Sequence, residues 1–148
     1  MTRSLCDLLA PTPKPANAKR ARAIARDMPA AAREALGSIL SGSPYLEGLA
    51  RRDPERLERL LASEPAAALT DTLATLIHDP AETDSAVQNR LRRAKDEAAL
   101  LVALCDIGGV WPLETITGAL SDLAARSHGV ATPPAHHLQH TPSHKQKN

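Results

Sequence analysis

Aromatic side chains are almost missing from this sequence: its 148 residues hold one Trp, one Tyr and no Phe. Any core must then be assembled from Leu, Ala, Ile and Val, which disfavours β-rich folds that draw on aromatic and β-branched side chains. The same lack argues against a single-strand nucleic-acid platform, which stacks bases on rings. A dominant charge sign is missing too. Eighteen basic residues against seventeen acidic ones leave a formal net charge of +1, too little for an electrostatic footprint on a polyanion. Nucleic acid is therefore not an expected partner.

Cysteine is scarce, and Cys6 and Cys105 lie far apart. They lack the close repeated spacing of a zinc ribbon or a small disulfide scaffold, and both read as free thiols in a reducing cytoplasm. Long apolar runs are absent as well. The longest, around 98–105, falls well short of the roughly 20 residues that span a bilayer, so no transmembrane helix is expected. The N-terminus has no convincing hydrophobic region or cleavage site for secretion. Lys14, Lys19, Arg20, Arg22 and Arg26 outnumber Asp7 and Asp27 there; a solvated basic helix is the favoured reading and a transit peptide the alternative.

What is present is helical. Hydrophobic residues make up 43% and charged residues 24% of the chain, the profile of a soluble domain or of part of a larger one. Pro11, Pro13 and Pro15 interrupt the first segment, so 1–16 is expected to be a flexible leader. Ala and Arg favour helix over 18–27, and a second helix is expected over 30–40 after Pro29. Ser43-Pro44 and Asp53-Pro54-Glu55 each place a side-chain acceptor before a proline at the first helical position, which marks two short helix starts. In the second of these, Leu57, Leu60 and Leu61 share a face, with Arg56 and Arg59 off that stripe. Leu69, Leu73, Leu76 and Ile77 mark a further helix that stops at His78, Asp79 and Pro80.

The longest helix is expected to start near 83–85 and run to Asp106, with Gly108 or Gly109 as its left-handed cap. Leu91, Ala94, Ala98, Leu101, Val102 and Cys105 form its buried stripe, and Arg92 is spaced for an i,i+4 pair with Asp96. Trp111 is the one large residue available to anchor the next turn. A last helix over 112–125 puts Leu113, Ile116, Leu120 and Leu123 on one side. From Arg126 the chain turns polar and is broken by Pro133, Pro134 and Pro142. It cannot bury enough surface to offset its ordering entropy, so 126–148 reads as a disordered His- and Pro-rich tail. The expectation is an all-α fold: leader, helical region over 17–125, tail.

Groups with possible chemistry each have a plainer explanation. His136, His137, His140 and His144 could chelate a metal if helical, but the prolines oppose that helix and a solvated tail is favoured. His78, at an expected helix C-terminus, suits a dipole-capping role better than catalysis. Gly108-Gly109 follows a helix and does not join a strand to one, so it is no phosphate loop. Ser121-Asp122-Leu123-Ala124 approaches the Ser-Asp-x-Asp of metal-dependent nucleotidyltransferases, but Ala124 stands where the second carboxylate is needed. Ser121 and Asp122 read as helix surface. Arg51-Arg52 and Arg90, Arg92 and Arg93 read as solvated faces, with phosphate or partner binding as the alternative. Asp106 to Trp111 joins two helices through a glycine turn, but the following helix offers Glu114 and Asp122 and only Arg126 beyond, poor groups for DNA.

Two blocks go beyond generic helix. One runs from Ser43-Pro-Tyr-Leu through Arg51-Arg-Asp-Pro-Glu-Arg-Leu to Leu61. The other runs from Leu91-Arg-Arg through Ile107-Gly-Gly-Val-Trp-Pro-Leu to Leu120-Ser-Asp-Leu-Ala124. Together they resemble the N-terminal helical region of bifunctional glutamine synthetase adenylyltransferase/adenylyl-removing enzymes, over roughly 17–125, in the alanine- and arginine-rich style of the alphaproteobacterial branch. The resemblance implies a large cytoplasmic nucleotidyltransferase. Such an enzyme uses ATP and magnesium to place AMP on a tyrosine of glutamine synthetase and removes it by phosphorolysis, under a PII signal protein and glutamine. Family catalysis rests on Gly-Ser-x-x-Asn followed by Ser-Asp-x-Asp, and neither motif occurs here. No catalytic, cofactor-binding or metal-binding residue is therefore carried over to any position. The resemblance ends near Ala125, and the expectation is a truncated copy, inactive alone, whose tail is out of frame. The alternative is a helical interaction module that docks glutamine synthetase or a PII protein. A helical piece without its catalytic sheet is expected to leave apolar surface uncovered.

Overall fold

The computed structural model describes residues 3–9, 14–76 and 80–131, the last four of these by backbone alone. Among the described residues it is all helix: α1 (Leu5–Leu8), α2 (Ala18–Ala25), a single 3₁₀ turn (Ala30–Ala32), α3 (Arg33–Leu40), α4 (Pro44–Arg52), α5 (Pro54–Ala62), α6 (Pro65–Ala74), α7 (Asp84–Ile107) and α8 (Leu113–Ala131). None of these helices is long and apolar enough to cross a membrane.

Local chemistry starts the helices where the sequence marks them. The Asn17 side chain accepts from the Arg20 amide at 3.0 Å and Ser43 Oγ from the Leu46 amide at 3.2 Å. Asp53 Oδ1 accepts from the Arg56 amide at 3.1 Å and Thr83 Oγ1 from the Ala86 amide at 3.2 Å. Glu64 caps α6 with both carboxylate oxygens, accepting from the amides of Ala66 and Ala67 at 3.1 and 2.8 Å. Each satisfies amides that would otherwise be orphaned in the first turn, for about 1 kcal/mol per cap. At the end of α7, Gly109 takes the left-handed conformation, φ +69°, which glycine adopts without steric cost. Gly108 keeps a right-handed φ of −74°.

The core is aliphatic. Leu36, Leu40, Leu49, Leu57, Leu60, Leu100, Leu101 and Leu104 are among its fully buried side chains, and α7 runs through it as the axis on which α4, α6 and α8 pack. The expected α7 stripe is buried in full, and Leu100 and Leu104 are buried with it. The wider burial follows from three helices, α4, α6 and α8, packing on α7. A smaller cluster of Leu73, Leu76, Leu91 and Ala94 joins α6 to the first half of α7. Trp111 is partly buried against the main core. Gly37 lets α3 lie close on α2: a Cβ there would stand 2.5 Å from the Ala21 carbonyl oxygen and 2.9 Å from the Ala25 Cβ.

Several expectations need correction. The leader 1–16 is not flexible throughout, because Leu5 and Leu9 are buried in the main core and the Leu5 amide donates to the Ser63 carbonyl at 2.8 Å. Two leucines either side of one helical turn anchor the segment before the prolines begin. Helix does not stop near Ala125 but runs on to Ala131, since no proline occurs before Pro133 and Ser127 is still buried. The rest of the expected tail, 132–148, lies outside the described residues. Of the expected α8 stripe, Ile116 is buried and Leu123 half-buried, with Ala119 buried beside them, but Leu113 and Leu120 are 75% and 48% exposed. The expected Arg92–Asp96 pair does not form. Arg92 donates to Asn89 Oδ1 at 2.7 Å, and Asp96 faces Arg52 at 3.8 Å.

Candidate functional site

Arginine placement distinguishes one face of this molecule. Of the arginines singled out in the sequence, Arg51 bridges Asp27 at 2.8 Å and Glu47 at 3.8 Å, and so ties α4 to the end of α2. Arg52 and Arg92 are exposed. Arg90 and Arg93 instead meet Arg56 and Arg59 of α5 in a cleft of about 640 Å³ between α5 and the first half of α7, with Asp53, Glu82 and Glu97 in its walls.

Asp53-Pro54 starts α5 so that Arg56 and Arg59 fall on the flank nearest α7. Arg56 does not lie off the apolar stripe as expected: it is buried, 8% exposed, and its Nη2 donates to the Leu49 carbonyl at 3.0 Å. At 100° per residue it stands only about 40° from Leu60 around the helix, close enough for its stem to join the apolar face. Arg59 pairs with Glu97 Oε1 at 2.6 Å. The close contact and coulombic pull of the Glu97 carboxylate hold the Arg59 guanidinium above its ordinary pKa. Arg90 Nη1 pairs with Glu82 Oε1 at 2.7 Å.

These bonds leave donors over. Arg56 Nε, Arg90 Nε and Arg90 Nη2 are buried without a hydrogen-bond partner, and so is the acceptor Glu97 Oε1, which Arg59 approaches as an ion pair. Arg93 is exposed and takes no ion pair among the described residues. Four guanidiniums thus line the cleft with three carboxylates, two of which are committed to Arg59 and Arg90. Asp53 caps α5. Sequence reasoning missed Arg56 and Arg59 as cleft residues because the signal is tertiary; the only local trace is that Arg56 borders the leucine stripe.

The other groups are not drawn together. Ser121 and Asp122 are both exposed on α8. His78, His136, His137, His140 and His144 lie outside the described residues. Cys105 is fully buried, and burial, with the Glu64 carboxylate nearby, pushes its thiol up to about 12, which removes it as a nucleophile at neutral pH. Among the described residues, no group of three or more His, Cys, Asp and Glu could hold a metal ion.

The chain resembles known proteins over most of its length. The family model described as glutamate-ammonia ligase adenylyltransferase matches residues 33–145, past the point near Ala125 where the sequence reading ended the resemblance. The bifunctional glutamine synthetase adenylyltransferase/adenylyl-removing enzyme of Rhodopseudomonas palustris (strain HaA2) is 52% identical over 98 residues, covering 64% of this chain and 10% of that protein. The enzymes of the same name from Bradyrhizobium sp. (strain BTAi1) and Caulobacter vibrioides are 48% identical over 94 residues and 44% over 90. They cover 62% and 60% of this chain, and 10% and 9% of their own lengths. The chain therefore spans about a tenth of the length of the curated relatives it matches. No solved structure matches. With a family model matched over 33–145, carried on an all-helical fold, the chain belongs to the glutamate-ammonia ligase adenylyltransferase family.

Proposed function

We propose that this chain is a non-catalytic helical segment of a glutamine synthetase adenylyltransferase/adenylyl-removing system, inactive alone in both AMP transfer and AMP removal. The observation that carries this reading is close identity confined to a small part of the relatives: 52% over 98 residues that make up 10% of one of them. The chain contains neither Gly-Ser-x-x-Asn nor Ser-Asp-x-Asp. Its nearest approach, Ser121-Asp122, is exposed on α8 with Ala124 in place of a second carboxylate, and two-metal phosphoryl chemistry needs carboxylates that converge on the ions.

The described residues do not fit the magnesium that the full-length family implies, because no three potential ligands gather among them. On this reading, magnesium and ATP are used by other parts of the full-length enzyme, in the cytoplasm. The helical segment supplies framework against which those parts pack. The purified chain, mixed with radiolabelled ATP, magnesium and glutamine synthetase, should leave glutamine synthetase unlabelled. Label transferred to its tyrosine would show this reading to be wrong.

A second reading is a docking module for glutamine synthetase or a PII signal protein. It is favoured by the apolar side chains left uncovered on α4 and α8, where Tyr45 is 59%, Leu113 75% and Leu120 48% exposed; exposed apolar patches mark interaction surfaces. Retention of either protein on the immobilised chain, lost on Leu120→Ser, would support it. Equal retention by the variant would remove it.

A further inference from the structure

We propose that the cleft between α5 and α7 binds a small oxyanion of the phosphate class. The reason lies in which donors the fold leaves unused. Arg90 spends Nη1 on Glu82 at 2.7 Å, while its Nε and Nη2 are buried and have no partner. Nε and Nη2 form one edge of the guanidinium, the planar fork that takes two oxygens of one phosphate side by side. Across the cleft, Arg56 is buried, 8% exposed, with Nη2 on the Leu49 carbonyl at 3.0 Å and Nε orphaned. A buried donor left without an acceptor is destabilising, and three of them belong to arginines that line one cleft.

The carboxylates in the walls do not serve these donors: Glu97 faces Arg59, Glu82 faces Arg90 Nη1 and Asp53 caps α5. Arg93, exposed at the cleft with no ion pair among the described residues, supplies a further cation. An anion with several oxygens answers both the unused hydrogen-bond donors and the uncompensated charge. The lining has no aromatic side chain, so it offers no ring on which a base could stack. The phosphate itself is what the cleft reads, whether free or carried by a nucleotide.

Calorimetric titration of the full chain with pyrophosphate, with ATP in the absence of metal, and with citrate tests this. Saturable one-to-one binding of pyrophosphate is expected, weakened at least tenfold by Arg93→Gln and unchanged by Arg22→Gln on the remote surface of α2. Arg93 is exposed, so its variant keeps the fold. Arg90→Lys keeps the charge, loses the fork and is expected to weaken binding as well; its circular dichroism melt separates a lost site from a lost fold. ATP binding more tightly than pyrophosphate identifies a phosphate carried by a nucleotide as the better source, and ATP binding more weakly identifies the free ion; both fit a phosphate-reading cleft. The proposal is overturned by the absence of saturable heat with pyrophosphate, by citrate binding as tightly, or by Arg22→Gln weakening binding as much as Arg93→Gln. None of these outcomes depends on whether the chain transfers AMP.

Discussion

Arg59 of α5 and Glu97 of α7 meet at 2.6 Å, with Glu97 only 15% exposed and Arg59 57% exposed. The pair joins the two walls of the arginine-lined cleft across 38 residues of sequence. Because Arg59 is largely in water, the pair's own coupling is small. A double-mutant cycle of Arg59→Gln and Glu97→Gln, read by urea denaturation, should give about 0.2–1 kcal/mol. Raising the salt concentration should reduce it. A coupling of several kcal/mol would mean that the pair is far more desolvated than its exposure allows.

Gly37→Ala should destabilise the protein, although alanine is the better helix former by about 1 kcal/mol. The added Cβ would stand 2.5 Å from the Ala21 backbone oxygen, and backbone cannot swing aside as a side chain can. Overpacking of this kind costs about 1–3 kcal/mol, so a net loss is expected in chemical denaturation. A gain in stability would mean that α2 and α3 do not approach as closely as described.

Leu104 and Leu113 look alike in the sequence, but their burial differs: 0% against 75% exposed. Leu104→Ala should cost about 2–5 kcal/mol through lost transfer energy and the cavity left behind. Leu113→Ala should stay within about 0.5 kcal/mol. Paired melting curves check the contrast, and a large loss for Leu113 would place it in a contact that the isolated helices do not make.

Burial of the Cys105 thiol makes stability depend on alkaline pH. Its folded value of about 12 stands above the unfolded one near 9.0, so between these values the unfolded chain has lost a proton that the folded chain keeps. The thiol's contribution is full below pH 9 and falls as pH rises toward 12, with a slope approaching about 1.4 kcal/mol per pH unit. Cys105→Ala should remove this slope, apart from its own packing cost. Thiol labelling of the native protein at pH 8 should modify the partly exposed Cys6 and spare Cys105.

Much of the fold was legible because its signals are local. Ser43-Pro44, Asp53-Pro54 and Thr83 cap helices within one turn of themselves, so each start could be placed from neighbours alone. The α7 stripe was legible because its period of about 3.6 persists over several turns. The leader and the end of α8 were misread where weak local preference met a tertiary partner. Leu5 and Leu9 gain their order from the core, and α8 continues past 125 in a stretch that no proline interrupts until Pro133.

The sequence by itself determined the helices, their caps and the family, since the two blocks beginning at Ser43 and Leu91 both fall within the residues 33–145 that the family model matches. Only the tertiary structure decided which apolar residues are covered and which arginines meet. Leu113 and Leu120 are left exposed on α8, Arg56 reaches Leu49 only once α5 is folded against α4, and Arg90 shares its cleft only once α5 and α7 are brought together. Periodicity specifies that a helix has an apolar side, but the angle at which that side meets its neighbour follows from the packing of both partners, and no segment read alone contains it.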